Sequence, residues 1–213
     1  RASAEAEGGN VEGVSPQAAG ARSPSSPPSR VLIVPHNKPA GWYQNVAELP
    51  GDVDLEVISD MPNPYYTMTK RWERVWIDAM RSYTPDPGTI LVGHGSGAEA
   101  VLRFVEDHRV KGIILVATPG DEYYAGERHG RLYRWESIKA NTDFAIQFHS
   151  DDDPFGKLEE AKKVSQKSGS DLFVLASRGR FLQDTFPELD VVLKKTAAEE
   201  DSRSGDLPEG LMI

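Results

Sequence analysis

Acyl-transfer chemistry needs a nucleophilic hydroxyl or thiol, a base within hydrogen-bond reach of it, and donors for a developing oxyanion. The chain has no cysteine, which excludes thiol catalysis, disulfides and Cys-based zinc sites. Its most informative serine lies in Thr89–Ala98, where Thr89-Ile90-Leu91-Val92 leads into Gly93-His94-Gly95-Ser96-Gly97. A short apolar run, a glycine-rich turn and an amphipathic pattern beyond it describe a sharp strand-to-helix elbow. Such a turn holds the residue at its apex in a strained conformation and aims that side chain past the end of a sheet. The apex here is Gly95, which has no side chain to aim. Ser96 follows at the start of the helical pattern. Its expected role is a helix cap, with a displaced nucleophile as the fallback.

The other chemistry-bearing groups are scattered. Asp151-Asp152-Asp153 precedes Pro154, a combination that also builds ordinary turns. The five histidines are His36, His94, His108, His129 and His149. A triad of Ser96, His149 and an Asp can be drawn, but it needs two displaced members at once. A zinc site from His36, His94 and His149 lacks ligand spacing, so no metal and no cofactor is expected.

Elements must bring these groups together. Val31–Pro35 and Thr89–Gly93 are short continuous apolar runs, as in strands buried on both faces. Lys111–Ala117, Phe144–Phe148 and Leu172–Ala176 read as further strands. Asp54–Ile58 alternates and belongs nearer an edge. Trp72, Val75, Trp76, Ala79 and Met80 recur at helical spacing, as do Ala98, Val101, Leu102, Phe104 and Val105. Trp135–Asn141, Lys157–Lys167 and Pro187–Lys195 complete the helices. Alternating strands and helices predict an α/β protein, a doubly wound and mostly parallel sheet in three layers.

At 213 residues the chain holds one sizeable domain with tails. The expected division is a flexible extension over 1–29, rich in Ala, Gly, Ser and Pro, a domain over 30–196, and a polar, acidic tail over 197–213. Residues 119–134 interrupt the rhythm as an insertion. A net charge of −9 argues against nucleic-acid binding, and no run of about 18 apolar residues suggests a membrane span. The sequence starts at Arg1 and shows no apolar signal core. A soluble intracellular protein is expected, cytoplasmic or, after removal of a leader, mitochondrial or in another organelle.

Several segments together resemble the retinoblastoma-binding protein 9 family, the YdeN-like serine hydrolases. They are Val31–Pro35, Gly41-Trp42-Tyr43, Met61-Pro62-Asn63-Pro64, Ile90–His94, Trp135–Asn141 and Asp152-Asp153-Pro154-Phe155, within about residues 30–196. The resemblance implies an α/β-hydrolase fold and Ser-His-Asp hydrolysis of small esters or amides. On that pattern the nucleophile position is Gly95, the acid is Asp153, and the base position, a His in the family, is Arg180 in Gly179-Arg180-Phe181. Arginine cannot act as a base near neutral pH, and an Arg180–Asp153 ion pair is expected instead. The glycine-rich oxyanion loop is reduced to His36-Asn37-Lys38-Pro39-Ala40-Gly41, and Pro39 has no N–H. Trp42 and Tyr43 are expected to pack.

These departures lead to the expectation of a non-catalytic pseudo-hydrolase, a structural or interaction subunit with protein contacts through 1–29, 119–134 and 197–213. Two alternatives stand beside it: a hydrolase with a rearranged site at Ser96, and a module for small anions using the helix N-terminus with Arg180 or Lys38.

Overall fold

The computed structural model describes residues 28–50, 53–62, 72–119 and 132–198. The strands are β1 (Arg30–Val34), β2 (Asp54–Val57), β3 (Thr89–His94), β4 (Gly112–Val116), β5 (Phe144–Ser150) and β6 (Asp171–Leu175). The helices are α1 (Trp72–Ser82), α2 (Ser96–Val105), α3 (Trp135–Ala140), α4 (Leu158–Ser168) and α5 (Pro187–Ala198), with a short 3-10 turn over Gly41–Gln44. The strands form one sheet in the order β2-β1-β3-β4-β5-β6, and every pairing is parallel.

Alternation along the strands divides the core in two. Leu32, Val34, Leu91, Ile113 and Leu115 face α1, α2 and α3. Val31, Ile33, Ile90, Val92, Ile114 and Val116 face the opposite layer, with Trp42, Leu189, Val192 and Leu193. This is the expected three-layer α/β architecture. The central strands β1, β3 and β4 are buried on both faces. The β2 and β6 strands are the edges and stay partly exposed. On α1 the buried face is Trp76 and Met80, while Val75 turns outward at 38% exposure. By contrast α2 is buried all round, because it lies between the sheet and both α1 and α3.

Most of the segments expected to carry protein contacts, 1–27, 120–131 and 199–213, lie outside the described residues, as do Asn63 and Pro64 of the family-like stretch. Among the described residues no helix is long and apolar enough to cross a membrane.

Candidate functional site

The strand order fixes where a site can form. From β1 the chain moves outward to β2, then returns past β1 to β3 and continues in the other direction. The connections therefore diverge between β1 and β3, and a crevice opens at the carboxyl ends of those two strands. Val34 pairs with Gly93 in the register, so the loop leaving β1 and the elbow leaving β3 emerge side by side. A cleft of about 330 Å³ opens here, and His36, Asn37, Tyr43 and Ser96 are among its lining residues.

The elbow is present. Gly95 has φ 54° and ψ −113°, the left-handed conformation in which an apex residue is strained. Its N–H donates to the Val116 carbonyl at 2.8 Å. A Cβ added at Gly95 would stand 2.5 Å from His36 Nδ1. The imidazole of His36 thus fills the space into which an apex side chain would project. One residue later, any Cβ at Gly97 would overlap the Val34 carbonyl oxygen, and this close approach fixes α2 against β1.

Ser96 differs from its expected role. The N-cap of α2 is Gly95, and no side chain caps the helix. Ser96 Oγ instead lies 3.2 Å from His36 Nδ1, and the Ser96 backbone N–H donates to the same nitrogen at 3.3 Å. Since the N–H can only donate, Nδ1 is the acceptor and the hydroxyl donates to it. A hydroxyl and an imidazole nitrogen able to accept its proton are therefore within reach of each other. Burial, then the positive charge of Arg180, lower the His36 pKa from 6.5 to about 4, with Lys38 adding to the effect and Asp153 opposing it. His36 is accordingly neutral at pH 7 and able to take a proton.

A buried hydrogen-bond chain holds His36 in place. His94 Nε2 donates to the Arg180 carbonyl at 2.7 Å, which leaves Nδ1 to accept from Tyr43 Oη at 2.6 Å. Tyr43 Oη in turn accepts the His36 backbone N–H at 2.8 Å. Burial, followed by the neighbouring His36, lowers the His94 pKa to about 3, so it too is neutral. Burial raises the Tyr43 phenol above its ordinary value. Trp42 packs as expected, at 1% exposure. Tyr43 packs as well, and it also lines the cleft and anchors the base.

The Asp153 corner lies along the same edge, at the ends of β5 and β6. Arg180 Nη1 meets Asp153 Oδ2 at 2.8 Å, with side-chain exposures of 7% and 0%. Asp153 Oδ1 accepts the Phe155 and Gly156 N–H groups at 2.9 and 3.3 Å. The ion pair expected from the sequence is present, and it commits Arg180, one of the two cations that the anion-binding alternative offered beside Lys38. His149 is not the partner of Ser96: its Nε2 donates to the Gly156 carbonyl at 3.0 Å. Nor do His36, His94 and His149 converge on a metal. Among the described residues no group of three ligating side chains is suited to one.

The residue whose contact with Ser96 sequence reasoning missed is His36, placed there in the shortened loop and weighed as a zinc ligand. The signal lay in its position directly after Pro35 at the end of β1, in the loop where the family's glycines stand. A histidine there meets the elbow only because β1 and β3 are neighbours in the sheet.

A family model described as "Serine hydrolase" matches residues 60–194. Serine hydrolase RBBP9 of Rattus norvegicus is 35% identical over 182 residues, covering 78% of this chain and 95% of the relative. Among solved structures, the ydeN gene product of B. subtilis superimposes with a TM-score of 0.67 at 22% identity, over 80% of this chain and 100% of that one. A YdeN-like hydrolase of Pectobacterium atrosepticum gives 0.54 at 18% identity, over 78% and 90%. At these identities the two structures speak for the fold alone. The expectation of a non-catalytic interaction subunit is corrected by the family match and the rat relative. It rested on Gly95, Arg180 and the shortened loop over 36–41, and it assumed that these three departures together empty the site. The family match over residues 60–194 and the identity across most of both chains place this protein in the serine hydrolase family.

Proposed function

We propose that this protein hydrolyses small carboxylic esters or amides through an acyl-enzyme formed on Ser96, with His36 as the general base. The observation that carries this reading is the 3.2 Å contact between Ser96 Oγ and His36 Nδ1 at the cleft. In the first step Ser96 Oγ adds to the substrate carbonyl carbon while its proton passes to His36 Nδ1. The tetrahedral intermediate then expels the alcohol or amine, which takes the proton from His36. Water attacks the Ser96 ester, again giving its proton to His36, and the acid leaves as Ser96 Oγ recovers the proton.

The N-terminus of α2 begins at Ser96 and directs its positive dipole end at the reacting centre. The same burial that keeps His36 neutral disfavours the imidazolium it must become. Among the described residues no carboxylate is hydrogen-bonded to His36 to offset that cost, so turnover slower than that of a complete triad is expected.

Hydrolysis of p-nitrophenyl butyrate tests the assignment. Ser96→Ala is expected to fall to the background rate. His36→Gln is expected to lower kcat on the order of 10²- to 10⁴-fold. A Ser96→Ala variant that keeps the wild-type rate would refute the reading.

A further inference from the structure

We infer that the side-chain amide of Asn37 is the oxyanion donor of this site, a deduction that rests on Ser96 being the nucleophile. When Ser96 adds to a carbonyl, the oxygen becomes an anion and needs donors already in place. Two backbone donors near Ser96 are already committed. The His36 N–H goes to Tyr43 Oη, the Ser96 N–H goes to His36 Nδ1, and Pro39 has none. Asn37 directly follows the base and lines the same cleft as Ser96 and His36.

Its carboxamide is unusual. The Oδ1 atom is buried and has no hydrogen-bond partner. Among the described residues neither end of the amide is hydrogen-bonded to the protein. An orphaned buried carbonyl normally costs on the order of 1–3 kcal/mol, and such groups in a folded protein call for an explanation. Holding Oδ1 inward keeps the NH2 free for an oxygen that exists only during reaction. Together with the N-terminal end of α2, this side chain takes the place of the glycine-rich loop that the chain lacks.

The test measures kcat and KM for p-nitrophenyl butyrate, and the rate of Ser96 labelling by a fluorophosphonate, in wild type, Asn37→Ala and Asn37→Asp. Melting temperatures establish that each variant is folded. Asn37→Ala is expected to lose on the order of 10²- to 10³-fold in kcat with KM nearly unchanged. The near-isosteric Asn37→Asp, which presents a carboxylate to the oxyanion, is expected to lose at least as much, and labelling is expected to slow in both. If Asn37→Ala stays folded and keeps kcat within about threefold while Ser96 is still labelled, the inference is wrong and the Ser96 assignment stands. If the wild type gives no Ser96 adduct, the assignment and the inference fall together.

Discussion

The Asp153–Arg180 corner and the Ser96–His36 corner sit at the same end of one sheet and do opposite things with their polar groups. In the first, a carboxylate and a guanidinium are buried against each other, and the free carboxylate oxygen is taken up by backbone N–H groups. In the second, a hydroxyl and a neutral imidazole face a cleft with only one contact between their side chains. The first pair holds its charges against each other, although Arg180 Nε is left without a partner; the second is the pair proposed to react. The family's acid position is engaged by Arg180 and by backbone N–H groups, and the hydroxyl proposed as nucleophile stands one residue beyond the elbow's apex.

The contrast predicts that stability and activity separate by corner. The largest effect on folding is expected from Arg180→Met, which leaves Asp153 buried without its partner and costs about 3–5 kcal/mol. Adding Asp153→Asn, which removes the charge and keeps an oxygen for the Phe155 and Gly156 N–H groups, should recover part of that loss. Ser96→Ala, which removes no charge, should change denaturant midpoints far less. Equal losses from Arg180→Met and Ser96→Ala would erase the distinction.

Gly95→Ser separates the two accounts of the elbow. If Gly95 marks a missing nucleophile, restoring a serine there should raise activity. The new Cβ would instead meet His36 at 2.5 Å, so the base must move from Ser96 and kcat should fall, by about 100-fold for a shift near 1 Å. A gain in turnover would place the chemistry at the apex.

A smaller effect links the corners through pH. Hydrolysis requires neutral His36, so its acid limb is expected near pH 4 rather than 6.5. Because Arg180 helps to depress that value and Asp153 opposes it, Arg180→Met should move the limb upward. Folding stability follows the same groups. His36 and His94 have folded pKa values of about 4 and about 3, below the ordinary 6.5. The unfolded chain therefore takes up protons first, and stability should decline as pH falls from about 6.5 through those values. An acid limb unmoved in Arg180→Met would show that the corners do not interact.

The fold was readable because its signals are local. The apolar runs at Val31, Thr89 and Lys111 are each long enough for one strand buried on both faces, and alternation at Asp54–Val57 marks an edge. The Asp153–Arg180 pair could be anticipated because family positions and charge complementarity agree on it. The pair proposed to react was not legible. His36 and Ser96 are far apart in sequence, and their meeting depends on the β1–β3 adjacency and on the empty apex at Gly95. A cap and a nucleophile look the same at Ser96 until the partner of the hydroxyl is known.

The central claim, that Ser96 is activated by His36, is tested most directly by mapping a fluorophosphonate adduct on the intact protein with tandem mass spectrometry. A single adduct on Ser96 in wild type, formed much more slowly in His36→Gln, is the predicted result. No adduct, or an adduct on another side chain formed at the same rate in both proteins, would contradict the account.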